Sequence, residues 1–107
     1  MRKLTIAAVL AVAATLAFSG VASAHTLRYP VAKKIAVKLA EKQEKSNPVE
    51  RWRIFGAERT SPHQIVWVYN VDYSDGTLCD AELVVRLRGT DAKPVAKAFF
   101  RDVHCER

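Results

Sequence analysis

The pattern of a β-hairpin runs through residues 64–88, QIVWVYNVDYSDGTLCDAELVVRLR. Every second residue from Ile65 to Tyr73 is large and apolar, and every second residue from Cys79 to Leu87 is apolar as well. Between these arms, Ser-Asp-Gly at 74–76 predicts a three-residue loop with the glycine in the left-handed conformation. Pairing Tyr73 with Thr77 brings both apolar faces to the same side of the sheet, so the sequence predicts this register.

A second hairpin is predicted downstream, where a strand from Val95 to about Cys105 turns back onto the 77–88 arm. Placing Cys105 opposite Cys79 closes this hairpin near residues 91–93, where turn-forming residues lie. The two cysteines are then neighbours and predict a disulfide. Because this register points Lys97 and Arg101 inward, we expect either a β-bulge near residues 99–100 or an edge strand with inward charges.

Upstream of the hairpin, residues 31–45 have helical spacing, with Pro30 at the first helical position. Three lysines line the face opposite the apolar one, and a further strand is predicted from about Glu50 to Glu58. We therefore predict an α+β fold: one N-terminal helix packed on a four-stranded antiparallel meander, with one disulfide, Cys79–Cys105. The residues expected on the apolar half of the helix are Val31, Ala32, Ile35, Ala36, Leu39 and Ala40, and the lysines opposite them are Lys34, Lys38 and Lys45.

This order of elements loosely resembles the cystatin-like roll. Residues 64–68, QIVWV, are similar to the cystatin inhibitory pattern Gln-x-Val-x-Gly, but Val68 stands where that pattern has glycine. The segment also falls inside a predicted strand, and no Pro-Trp hairpin follows it. The resemblance is therefore confined to the roll, and no family is assigned.

Residues 1–24 are predicted to be a signal peptide. Arg2 and Lys3 precede an apolar run from Leu4 to Phe18, and Ala-Ser-Ala at 22–24 has the small residues of a cleavage site. A run of about 15 residues is shorter than the ~20 that span a bilayer. We therefore expect residues 25–107 to form a single small domain, secreted to the periplasm or the medium and not integral to a membrane.

Charge and composition suggest few partners or cofactors. The formal net charge of +6 becomes +4 when Arg2 and Lys3 leave with the leader, which gives weak attraction to anionic surfaces. The basic residues are spread along the chain without a nucleic-acid-binding motif, so no specific nucleic acid is expected. Two cysteines without Cys-x-x-Cys spacing do not predict a metal site, and no cofactor is expected.

The second face of the sheet is predicted to carry an apolar cluster rimmed by arginines. Exposed apolar groups beside arginine are typical of protein contacts. We therefore predict a non-catalytic binding or protein-interaction module, inhibitor-like or envelope-associated, or one that associates with itself; the N-terminal segment is the alternative cover for this face. The predicted contact residues are Phe55, Val66, Val68, Val84, Arg86 and Phe100, with Arg53, Arg59 and Arg88 around them.

Two other functions fit parts of the sequence. The inferred register sets Asp80 opposite His104 and Glu82 opposite Asp102, which permits a hydrolase-like enzyme with His104 as base, Asp80 as its orienter and Glu82 or Asp102 as acid. The competing interpretation is a solvated face with cross-strand ion pairs. Alternatively, His25 becomes the N-terminus after cleavage and permits copper binding through its amine and ring.

Overall fold

The structure, a computed structural model, describes residues 14–17, 26–46, 48–89 and 94–107. The predicted cleavage site, His25 and the turn at 91–93 lie outside the described residues. A four-stranded antiparallel meander carries one helix on one face, which confirms the α+β prediction. The elements are β1 (Ala14–Ala17), α1 (Tyr29–Ser46), β2 (Val49–Ser61), β3 (Gln64–Tyr73), β4 (Leu78–Gly89) and β5 (Pro94–Glu106).

Strand β1 adds a fifth strand to the edge of the meander, and it lies within the predicted leader. It pairs antiparallel with β5, with Ala14 opposite Ala98 and Ala17 opposite Val95. The sheet order is therefore β1-β5-β4-β3-β2. Within the described part of the chain, no helix is both long and apolar enough to cross a membrane.

Helix α1 lies on the sheet through a stripe of small and branched apolar side chains. It begins at Tyr29, one residue before the predicted first helical position at Pro30, and proline is tolerated in the first turn of a helix. The alanines let the helix approach the sheet closely, and the three lysines of the opposite face are exposed as predicted. The buried residues of the helix are Ala32, Ile35, Ala36, Leu39, Ala40 and Gln43.

The β3–β4 hairpin has the predicted register. Trp67 lies opposite Leu83 and Val71 opposite Cys79, and all four side chains are buried under the helix. At the turn, the Tyr73 N–H donates to the Thr77 carbonyl at 2.9 Å. The core of the protein is therefore the helix-facing side of this hairpin, and the aromatic side chains on that side are packing residues.

Strand β5 follows the predicted register only near the disulfide. Cys79 and Cys105 are directly opposite and bonded, with an S–S distance of 2.02 Å. Past them the register shifts by one residue at Asp102, whose φ is 53°, so the predicted β-bulge is present but two residues later than expected. The shift turns Lys97 and Arg101 to the face away from the helix.

The segment before the helix is tied to the β2–β3 turn by Arg59. Its Nη2 donates to the Leu27 carbonyl at 2.6 Å and its Nη1 to the Pro62 carbonyl at 3.1 Å. The Leu27 N–H donates in turn to the Pro62 carbonyl at 2.7 Å, and the Leu27 side chain is fully buried. Arg59 therefore anchors the chain entering the helix and does not belong to the predicted ring of arginines around the contact face.

Candidate functional site: the outer face of the sheet

The outer face, defined as the side of the sheet away from α1, is arranged in rows that run across the strands. Each row consists of residues that lie directly opposite one another in neighbouring strands, so their side chains are adjacent. From the β4–β5 turn to the disulfide end, we number these as rows one to six. They are Arg88–Val95, Ser61–Gln64–Arg86–Lys97, Glu58–Val66–Val84–Phe99, Phe55–Val68–Glu82–Arg101, Arg53–Asn70–Asp80–His104 and Arg51–Asp72–Leu78–Glu106.

The apolar side chains of the outer face are concentrated in rows three and four. Phe55 and Val68 lie directly opposite each other and are 44% and 38% exposed, although both are large and apolar. Val66 and Val84 are also neighbours on this face, but both side chains are buried. The predicted cluster is therefore assembled in part, with Phe55 and Val68 as its accessible members.

Phe100 does not belong to the outer face. Its side chain is buried on the helix side, where its ring centroid lies 4.6 Å from that of Tyr69. The bulge at Asp102 is the cause, because a one-residue shift sends each side chain of the strand to the opposite face. Phe99 takes its place in row three, opposite Val84 and half-buried.

Arginine guanidinium groups lie over two phenylalanine rings of the outer face. The Arg53 guanidinium is 5.0 Å from the centroid of Phe55, and that of Arg86 is 5.2 Å from the centroid of Phe99. Arg86 is also held by a hydrogen bond from its Nε to the Gln64 Oε1 at 2.6 Å. These cation–π contacts keep positive charge next to apolar surface.

The predicted pair of facing carboxylates is absent because of the same bulge. Glu82 lies opposite Arg101 and not opposite Asp102, and the Arg101 Nε donates to the Glu82 Oε1 at 2.6 Å. This ion pair neutralises Glu82. No second carboxylate is opposite it in the described strands, so the arrangement expected for an acid catalyst is not formed.

Asp80 and His104 do lie directly opposite each other, as predicted. Both side chains are exposed, and within the described residues no hydrogen bond or ion pair joins them. They line a shallow depression of about 220 Å³ together with Asn70, whose Oδ1 is buried without a hydrogen-bond partner in the described part of the chain. The register prediction is confirmed, but the two groups are not arranged as a base and its orienter.

The neighbouring sixth row contains an ordinary surface ion pair, formed by Arg51 and Asp72. The Arg51 Nε donates to the Asp72 Oδ2 at 2.9 Å, and this hydrogen bond raises the pKa of the Arg51 guanidinium above its usual value. Across residues 26–46, 48–89 and 94–107, no group of three or more His, Cys, Asp or Glu side chains is placed to hold a metal ion. His63 lies exposed at the β2–β3 turn, and the copper hypothesis depends on His25, which lies outside the described residues.

No family model, curated protein or solved structure matches the chain.

Sequence reasoning did not place Phe99, Lys97 and Arg101 on this face. The signal for them was present, because the unbroken register pointed Lys97 and Arg101 into the core. Burying two unpaired cations costs far more than one β-bulge. That conflict predicted either a bulge in β5 or an edge strand with inward charges, and the alternation pattern alone did not fix the bulge at Asp102.

Proposed function

We propose that the protein is a small, non-catalytic binding module that contacts a protein partner through the outer face of its sheet. The observation that carries the proposal is the opposed pair Phe55 and Val68, both substantially exposed on a face that no described helix covers. The contact surface is defined by these two residues with Phe99, Arg53 and Arg86.

The energetics favour a contact at this position. Fully burying a valine or phenylalanine side chain contributes about 1.5–3 kcal/mol. Arginine is enriched among the residues that dominate binding energy, partly because it can cover aromatic rings, as Arg53 covers Phe55 here. A face that exposes the apolar side chains of Phe55 and Val68, with arginine guanidinium groups held beside them, has the composition of a protein contact.

We further propose that the module works outside the cytoplasm. The Cys79–Cys105 disulfide joins β4 to β5 and is compatible with an oxidising compartment. The predicted leader at residues 1–24 supports the same location. Determining the N-terminal residue of exported protein by mass spectrometry tests this part, and a chain that begins before residue 25 would contradict it.

The contact face is tested by cross-linking in the exporting cell. We expect cross-linked species with the wild-type protein and their loss with Phe55→Asp combined with Val68→Asp, since a charge at each anchor opposes desolvation of the face. Mass spectrometry of each species separates contact with the same chain from contact with another protein.

Tyr29→Asp is the matched control. Tyr29 is 44% exposed, the same fraction as Phe55, but it lies on the helix in the opposite layer. This variant is expected to keep the cross-linked species. Retention of cross-links in the Phe55→Asp, Val68→Asp protein, or equal loss in the Tyr29→Asp protein, would contradict the proposed face.

A further inference from the structure

We propose that the partner at the outer face is a second copy of this chain, stacked face to face with its strands reversed. The proposal rests on the contact face described above and names its occupant. It is carried by the distribution of charge along the six rows, which is complementary to itself when one copy is turned end over end.

The end of the outer face nearest the β4–β5 turn is basic. Rows one and two contain Arg88, Arg86 and Lys97 and no acidic residue. In the described chain none of these cations forms an ion pair. Arg86 does form a hydrogen bond, but its acceptor is the uncharged amide oxygen of Gln64. Positive charge at this end is therefore uncompensated within the monomer.

The disulfide end of the same face carries two free carboxylates, while a third, that of Glu58, lies in row three near the middle of the face. Asp80 in row five and Glu106 in row six are exposed and form no ion pair in the described residues. The two arginines of these rows are engaged, because Arg51 pairs with Asp72 and Arg53 lies over the Phe55 ring toward the middle of the face.

A two-fold axis between rows three and four, perpendicular to the strands, matches these ends. It places row two of one copy over row five of the other, with each strand over its own counterpart, so Arg86 faces Asp80 and Lys97 lies one strand away from that carboxylate. It also places row one over row six, so Arg88 faces Leu78 and lies one strand away from Glu106. Rows three and four then cover each other, so Phe55 and Val68 leave water, and the Glu82–Arg101 ion pair of row four lies within the same contact. A two-fold interface is self-complementary in this way, with each contact made twice.

The size of the face is adequate for such a dimer. Four strands at ~4.8 Å spacing and the eleven residues from Leu78 to Arg88 at ~3.3 Å each give a projected area of roughly 700 Å². Specific interfaces bury about 800 Å² of accessible surface per partner, and accessible surface exceeds projected area. Stacked sheets pack about 10 Å apart, which is the arrangement of a β-sandwich.

Charge exchange between two variants tests the pairing. The first variant is Lys97→Glu with Arg88→Glu, and the second is Asp80→Lys with Glu106→Lys. None of these four side chains forms a hydrogen bond or ion pair in the described chain, so folding should be kept; circular dichroism melts check this. Sedimentation equilibrium and native mass spectrometry of the purified proteins give the oligomeric state.

We expect the wild type to form a dimer that weakens as salt is raised. Each charge-reversed variant alone should be monomeric, with the dimer dissociation constant raised more than about 100-fold, because like charges then face each other at both ends. An equimolar mixture of the two variants should form a one-to-one heterodimer, since one variant is acidic at both ends and the other is basic at both.

A wild type that stays monomeric up to its solubility limit would overturn the proposal, as would folded variants whose mixture fails to associate. Loss of the dimer in the Phe55→Asp, Val68→Asp protein with retention in the Tyr29→Asp protein would support it. If the wild type is monomeric while cross-links to a different protein still depend on Phe55 and Val68, the dimer is wrong and the contact face remains.

Discussion

The Tyr69 hydroxyl is a polar group buried in the core without a hydrogen-bond partner among the described residues. Burial raises the pKa of this phenol well above its usual value, because the phenolate would lose its hydration. An unsatisfied buried hydroxyl lowers the free energy of unfolding, so Tyr69→Phe should stabilise the protein by about 1 kcal/mol. Urea unfolding monitored by circular dichroism measures the change.

Tyr73→Phe is the matched comparison for that prediction. The Tyr73 hydroxyl accepts a hydrogen bond from the Gln43 Nε2 at 3.3 Å, so its removal leaves the buried glutamine amide with one partner fewer. We expect this variant to lose about 1 kcal/mol of unfolding free energy. If both substitutions changed the free energy of unfolding in the same direction, the different roles assigned to the two hydroxyl groups would be contradicted.

Asp75 makes the β3–β4 turn sensitive to acid. Its Oδ1 accepts a hydrogen bond from the Thr77 N–H at 2.9 Å, and this bond lowers the pKa of the carboxyl. Because the pKa is lower in the folded than in the unfolded state, the stabilisation is complete above the unfolded pKa of about 3.9. It disappears as the pH falls through the lower folded value.

We therefore expect Asp75→Asn to lower stability at neutral pH and to flatten the loss of stability below about pH 4. Urea midpoints measured between neutral and strongly acidic pH give both quantities. Asp80→Asn is the control, since the Asp80 carboxylate forms no hydrogen bond or ion pair in the described chain. If the stability of the Asp75→Asn protein falls below about pH 4 as steeply as that of the wild type, Asp75 does not make the turn sensitive to acid.

At the level of elements, the pairing of strands followed from the sequence where apolar alternation was unbroken. The register of β3 with β4 was predictable because Trp67, Val71, Leu83 and Cys79 have one face in common. The register of β5 was predictable only near Cys105, where the disulfide fixes it. Beyond that point an inserted residue reverses the faces, and alternation does not show which residue is inserted.

The bulge depends on Asp102, whose φ of 53° lies in the left-handed region. Aspartate tolerates this conformation better than a β-branched residue, which is strained there by roughly 1–2 kcal/mol. Asp102→Val should therefore be at least about 1 kcal/mol less stable than Asp102→Gly, in which no Cβ is present. Urea unfolding of the two variants tests this, and equal stability would mean that the bulge does not require this backbone angle.

The disulfide is the covalent connection between the two C-terminal strands. Cys79 and Cys105 are separated by 26 positions, and closing a loop of that length restricts the unfolded chain by about 3 kcal/mol. The Cys79→Ala, Cys105→Ala protein should lose an amount of that order, and reduced wild type should lose a similar amount. Unfolding free energies that are unchanged by both treatments would show that the bond adds nothing to stability.

At the scale of the whole molecule, the sequence predicted two apolar faces on one sheet but not how each is used. The helix-facing side was predictable because α1 supplies a matching stripe of alanines and leucine. The sequence predicted that the outer face carries an apolar cluster, but it predicted the wrong phenylalanine for that cluster, because the bulge places Phe99 and not Phe100 on this face. The alternation pattern also did not predict which side chains of the outer face are exposed. Val84 and Val68 both lie on this face, but only Val68 is accessible to solvent.

The predicted leader contributes one element, β1, to the edge of the sheet. The described buried core begins at Leu27 and includes residues of the helix and of β3, β4 and β5, with Val49, Trp52 and Ile54 of β2 packed against it, so residues 25–107 should fold cooperatively by themselves. The change expected on removing the leader is local: backbone groups of Val95–Ala98 that pair with β1 become an open edge. Hydrogen exchange on the oxidised full chain and on the 25–107 chain should then differ mainly at these residues. A 25–107 chain without a cooperative thermal transition, or with protection lost across β3 and β4, would show that the leader segment is part of the folding unit.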